Sequence, residues 1–264
     1  MNVPEWMIRI LYLTAARMDV PPLFGLTHVL LFFLCVGVPW VIAKQFASIS
    51  NEAAVKQLVI CGWILVLLEC YKQLFLYVVV NAFHYNYWFF PFQLCSIAMY
   101  LCVLLPILKG SAKETVLTFL GSVSTPGAFL ALLYPADMLR SYVSLTIHGF
   151  LWHAILMYIG YTVILHHRST PGFRGFLKAA VLYLLLAGTA MILNVVFYPM
   201  ATYGAKPNLF YLSPLVMSEQ AVFHSIAMTL GIPAEHAIYI ITYLLFCFAI
   251  HTAIARFQTK NITS

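Results

Sequence analysis

Charge is what this chain lacks most. Asp, Glu, Lys and Arg together make up 8% of its 264 residues while 63% are hydrophobic, and such a composition cannot clothe a core in a hydrated surface. An ordinary water-soluble domain is thereby excluded. No cleavable leader is expected, because the first 18 residues carry Arg9 and Arg17 and no long apolar run ending in small residues. The six cysteines, at 35, 61, 70, 95, 102 and 247, all lie in apolar runs and none has C-x-x-C spacing; this argues against a disulfide framework and against zinc. No histidine has an acidic neighbour at ligand spacing, so neither a metal nor a cofactor is expected. There is no internal repeat.

What is present is a succession of long apolar runs. A spanning helix needs about 20 residues, since the hydrocarbon layer is roughly 30 Å thick and each residue rises about 1.5 Å. Windows between charges place spans near 25–43, 57–80, 88–108, 114–134, 142–165, 175–199 and 236–255. The fold class is therefore all-α: a polytopic membrane helical bundle of about seven transmembrane helices, read as a single integral membrane domain over 1–264. Residues 1–20, with Trp6, Met7, Ile10, Leu11 and Leu13, read as an interfacial segment. The connection 200–235, aromatic and interrupted by Pro207, Pro214 and Pro233, is expected to lie against the membrane and cover one end of the bundle.

The net charge of +6 comes from basic residues flanking spans, which points to membrane orientation rather than nucleic acid. An outside N-terminus puts nine basic residues in the cytoplasm (Lys44, Lys56, Lys109, Lys113, Arg168, Arg174, Lys178, Arg256 and Lys260) and leaves four outside (Arg9, Arg17, Arg140 and Lys206). The C-terminus is then cytoplasmic, and the Asn261-Ile262-Thr263 tripeptide is discounted as a glycosylation acceptor.

Polar residues inside the spans carry the functional information, because an ionisable group at mid-bilayer costs about 2.5–3.5 kcal/mol or more unless partnered. Glu69, Lys72 and Gln73 share one face of the second span by their i, i+3, i+4 spacing. They read either as an ion pair fixing helix packing or as the polar wall of a cavity. Cys95, seven residues into the third span, and His148, six residues into the fifth, each fall about 10 Å below the same interface. Asn194 lies at similar depth in the sixth span. Gln93, two residues from Cys95, points about 200° away around a helix. A buried Cys and a buried His can be packing and hydrogen-bonding groups; together they also make a nucleophile, the imidazole removing the thiol proton.

The stretch Trp88 to Tyr100, WFFPFQLCSIAMY, with Ile147-His148-Gly149 and the later Asn194, Asn208 and Tyr211, resembles the YwaF-like family of membrane proteins, which is related to the transmembrane protein 164 acyltransferases of animals. The resemblance runs from about Glu69 to the last span. It implies a Cys/His enzyme that moves a fatty acyl chain from a phospholipid to a lysophospholipid through an acyl-enzyme, with Cys95 and His148 as the catalytic pair. A more distant similarity is to the androgen-induced-gene lipid hydrolases.

On this reading Cys95 is the nucleophile and His148 the base and then the acid. Asn194, Asn208 or Gln93 are candidate donors to the oxyanion, and Glu69 is a candidate to orient His148. The expected partners are membrane phospholipids and lysophospholipids, with no nucleic acid and no identifiable protein partner, in a bacterial inner membrane or a eukaryotic endomembrane or plasma membrane. Three alternatives stand beside it: a small-solute transporter or channel lined by Glu69, Lys72 and His148, a lipid hydrolase, and a non-catalytic scaffold.

Overall fold

The computed structural model describes residues 3–166 and 168–263, except the side chains of Ala221 and of residues 259–263. The expectations for Lys260 and for the Asn261-Ile262-Thr263 tripeptide concern side chains that lie outside the described residues.

Among the described residues ten α-helices follow in chain order: α1 Glu5–Leu13, α2 Leu26–Gln45, α3 Asn51–Phe75, α4 Leu94–Leu104, α5 Gly110–Phe119, α6 Thr125–Leu133, α7 Val143–Leu165, α8 Gly172–Phe197, α9 Ala221–Leu230 and α10 Ile232–Thr263. Among the described residues there is no strand, only an isolated bridge between Arg17 and Tyr142. Among the described residues six helical rods are long and apolar enough to cross a membrane: α2, α3 with its π-helical extension to Val80, the α5–α6 rod, α7, α8, and α10 as far as Gln258. The chain is an integral membrane protein. Large apolar side chains such as Leu67, Leu185, Ile192 and Leu245 project outward from these rods, as the walls of a lipid-facing bundle require.

The rod from Gly110 to Leu133 runs through the middle of the bundle. Pro126 explains its irregularity: it has no N–H to offer the carbonyl four residues back, and its ring crowds that carbonyl. The helix widens there into a π turn, Leu120–Ser124. Two side-chain hydroxyls take up carbonyls of that turn: Thr125 Oγ1 donates to Leu120 O at 2.8 Å and Tyr243 Oη to Val123 O at 2.7 Å.

Close helix contacts are made where side chains vanish. A Cβ at Gly62 would lie 3.0 Å from the Val103 amide nitrogen, so α3 and α4 meet almost backbone to backbone. Gly160 gives the same access to Thr125, bringing α7 onto α6.

The expected third span, 88–108, is much shorter as a helix. Only the 11 residues of α4 are α-helical, about 16 Å at the helical rise. Pro91 is the cause, because proline disfavours helical geometry in the residue before it and donates no hydrogen bond. Phe90 accordingly has ψ 133°, outside the helical range. Cys95 is thus the second residue of a helix rather than seven residues into one.

Candidate functional site

Non-helical backbone at membrane depth must find partners within the protein, and the segment before α4 does so through named side chains. Gln73 Nε2 donates to Phe89 O at 2.6 Å, Tyr100 Oη to Pro91 O at 2.8 Å, and Trp152 Nε1 to Cys95 O at 3.2 Å. Among the described residues no acceptor takes the amide N–H groups of Leu94 and Cys95, and no side chain caps α4. These are the free donors that begin any helix, here beside a half-buried thiol.

Trp152 joins the two expected catalytic residues. Its indole N–H holds Cys95 O, and its ring stacks on His148 with centroids 5.6 Å apart. The thiol and the imidazole are not hydrogen-bonded to each other. His148 Nε2–H donates to Leu68 O at 3.1 Å. Since a carbonyl only accepts, that contact assigns the proton to Nε2 and leaves Nδ1 with its lone pair. The group orienting His148 is therefore a backbone carbonyl of α3, not the Glu69 carboxylate. A backbone carbonyl leaves no mark in residue type, which is why the sequence did not reveal it.

Glu69 is buried and takes Lys72 Nζ at 2.8 Å and Gln73 Nε2 at 2.7 Å. Lys72 Nζ also lies 5.8 Å from the centre of the Trp152 ring, so the pair borders the same aromatic side chain as Cys95 and His148.

The three amides expected as oxyanion donors are brought together, but their hydrogen bonds are spent on the connection after α8. Asn194 binds both backbone groups of Leu209, donating to its O at 3.1 Å and accepting from its N–H at 2.7 Å. Gln93 Oε1 accepts from Phe210 N at 2.8 Å, and Asn208 Oδ1 from Ser213 N at 2.9 Å. They clamp a segment in which Phe210 and Tyr211 both have positive φ, 58° and 57°, a conformation side chains adopt only when the surroundings enforce it. Tyr211 Oη donates to Asp137 Oδ2 of the α6–α7 connection. Burial, and next the Asp137 carboxylate, push the Tyr211 phenol well above the usual tyrosine range, with Cys95 also within electrostatic reach. Arg140 is half-buried beside this pair, its guanidinium pushed down by desolvation, and donates through Nε to Asp137 O at 2.7 Å.

Two polar groups were not singled out as site residues from sequence. Glu235, in the first turn of α10, is fully buried; among the described residues its carboxylate has no hydrogen-bond partner, and His236 Nε2 stands 3.4 Å away. At the other end, Ser122 Oγ lies 2.8 Å from His251 Nδ1, and His251 Nε2 donates to Gly172 O at 3.2 Å. That second cluster fixes the α7–α8 turn, because its surroundings are tightly filled: a Cβ at Gly121 would sit 3.0 Å from Val163 Cγ1.

A family model described as the TMEM164 family matches residues 23–255. No curated protein matches the chain, and no solved structure does so.

Proposed function

The chain belongs to the TMEM164 family, and from that premise we infer that it is a lipid acyltransferase working through Cys95 and His148. The observation that carries the reading is Trp152, which contacts both residues at once. His148 Nδ1 takes the thiol proton, and the Cys95 thiolate attacks the carbonyl carbon of a phospholipid acyl ester. The ester C–O bond breaks, the lysophospholipid oxygen takes the proton from His148, and a thioester remains. A second lysophospholipid hydroxyl then gives its proton to His148 and attacks the thioester, which restores the thiol. The free amide N–H groups of Leu94 and Cys95 supply fixed donors for the oxyanion in both steps.

The test uses purified protein in detergent with acyl-labelled phospholipid and an unlabelled lysophospholipid. Label should pass to the acceptor and accumulate on Cys95 as a hydroxylamine-sensitive thioester when acceptor is withheld. Cys95→Ser and His148→Ala should each remove roughly 99% of transfer or more, and the double variant should be scarcely worse, because the pair acts as a unit. Undiminished transfer by Cys95→Ser would end the thiol mechanism. Solute flux through sealed vesicles without any acyl transfer would select a transporter instead.

A further inference from the structure

The end of the bundle opposite the Cys95 site carries a groove of about 680 Å³ between the start of α3, the α4–α5 turn and the α7–α8 turn. Its floor is apolar, with Val59, Ile60 and Pro106, and its rim is basic, with Lys56, Lys113 and Arg168. Among the described residues Glu52 is the rim's one carboxylate and pairs with Lys56 at 3.0 Å, so the cations outnumber it and leave net positive charge. Arg168 stands half-buried at this rim, and among the described residues it has no ion-pair partner. Phosphate oxygens, like those of a carboxylate, match the guanidinium fork bidentately.

We propose that this groove binds an anionic phospholipid, its phosphate held by Arg168 and Lys113 and its acyl chain running along Ile60 and Pro106. Both apolar residues are exposed, so the chain leaves the groove directly into the bilayer. The lipid acts as a ligand that steadies the α3, α4 and α7 ends, and the site is independent of the chemistry at Cys95.

Native mass spectrometry and thermal unfolding of the full-length protein in detergent test it, with phosphatidylglycerol and phosphatidylcholine of identical chains as probes and inorganic phosphate as a third. Phosphatidylglycerol should bind at least tenfold more tightly than phosphatidylcholine and raise the unfolding temperature, while phosphate alone does neither. Lys113→Gln combined with Arg168→Gln should abolish that preference. Lys44→Gln, which removes an exposed basic residue outside the groove, should keep it. If the double variant fails to fold, Lys113→Gln alone should weaken phosphatidylglycerol binding at least threefold. Equal binding of the two lipids, equal binding of free phosphate, or a preference that survives the groove substitutions or falls equally in Lys44→Gln overturns the proposal.

Discussion

Trp152 offers two separable functions in one side chain, a ring against His148 and an N–H to Cys95 O. Trp152→Phe keeps an aromatic face and deletes the donor. The expected outcome is a fall in kcat of roughly tenfold, the cost of about 1.4 kcal/mol of positioning, with KM little changed; an unchanged kcat would show that the indole N–H does not position the nucleophile. Glu235 invites the opposite kind of change. A fully buried carboxylate without a hydrogen-bond donor is destabilising, so Glu235→Gln should raise the unfolding temperature by about 2–4 °C, the shift expected for roughly 1 kcal/mol in a chain of this size. A lowered temperature would mean that the carboxylate has a partner which glutamine cannot satisfy. Residue types alone made Glu69, Lys72 and Gln73 legible as one polar face, and the structure joins them as expected. They could not reveal Leu68 O as the partner of His148, because main-chain acceptors are common to every residue.

Among the elements, the segment from Asn208 to Ser213 depends on side chains from elsewhere in the chain. Asn194→Leu would strand the N–H of Leu209, which is fully buried, while its carbonyl keeps the Leu212 N–H at 3.1 Å. The loss should be about 1–3 kcal/mol for that one unsatisfied N–H, seen as faster hydrogen exchange across 207–213 than across α7. Exchange rising equally in both would mean that the bundle as a whole had loosened. The same end of the bundle should be alkali-sensitive. Burial, and then the charge of Glu69, push the Tyr85 phenol from its usual value up to about 12, and Tyr211 is raised too. A folded pKa above the unfolded one favours the protonated folded state. The stability these phenols contribute is therefore complete below about pH 10 and lost as pH climbs through about 12; an unfolding temperature that already falls in mildly alkaline buffer would require another group. Sequence periodicity found the long helices because twenty apolar residues in succession have few alternatives. It overextended the third span because one proline outweighs the apolar character of its neighbours.

At the scale of the whole molecule, the basic residues gather at the end away from Cys95, where Lys178 Nζ reaches Ser111 Oγ at 2.8 Å and Gln258 Nε2 reaches Ile164 O at 3.0 Å. On the positive-inside tendency that end is expected in the cytoplasm. Impermeant thiol reagents should modify cysteines introduced at Lys109 or Arg174 only after the membrane is opened, and one introduced at Lys206 in intact cells; the reverse pattern would invert the orientation. The shortness of α4 also bears on how the chain enters a membrane during synthesis. Its 11 residues fall well short of the roughly 20 that insert unaided, so the insertion machinery has no independent span to release at that point. α4 must wait at the interface and enter together with the α5–α6 rod as a hairpin. The thiol on its first turn is then carried to its depth in the bundle by the helix that follows it.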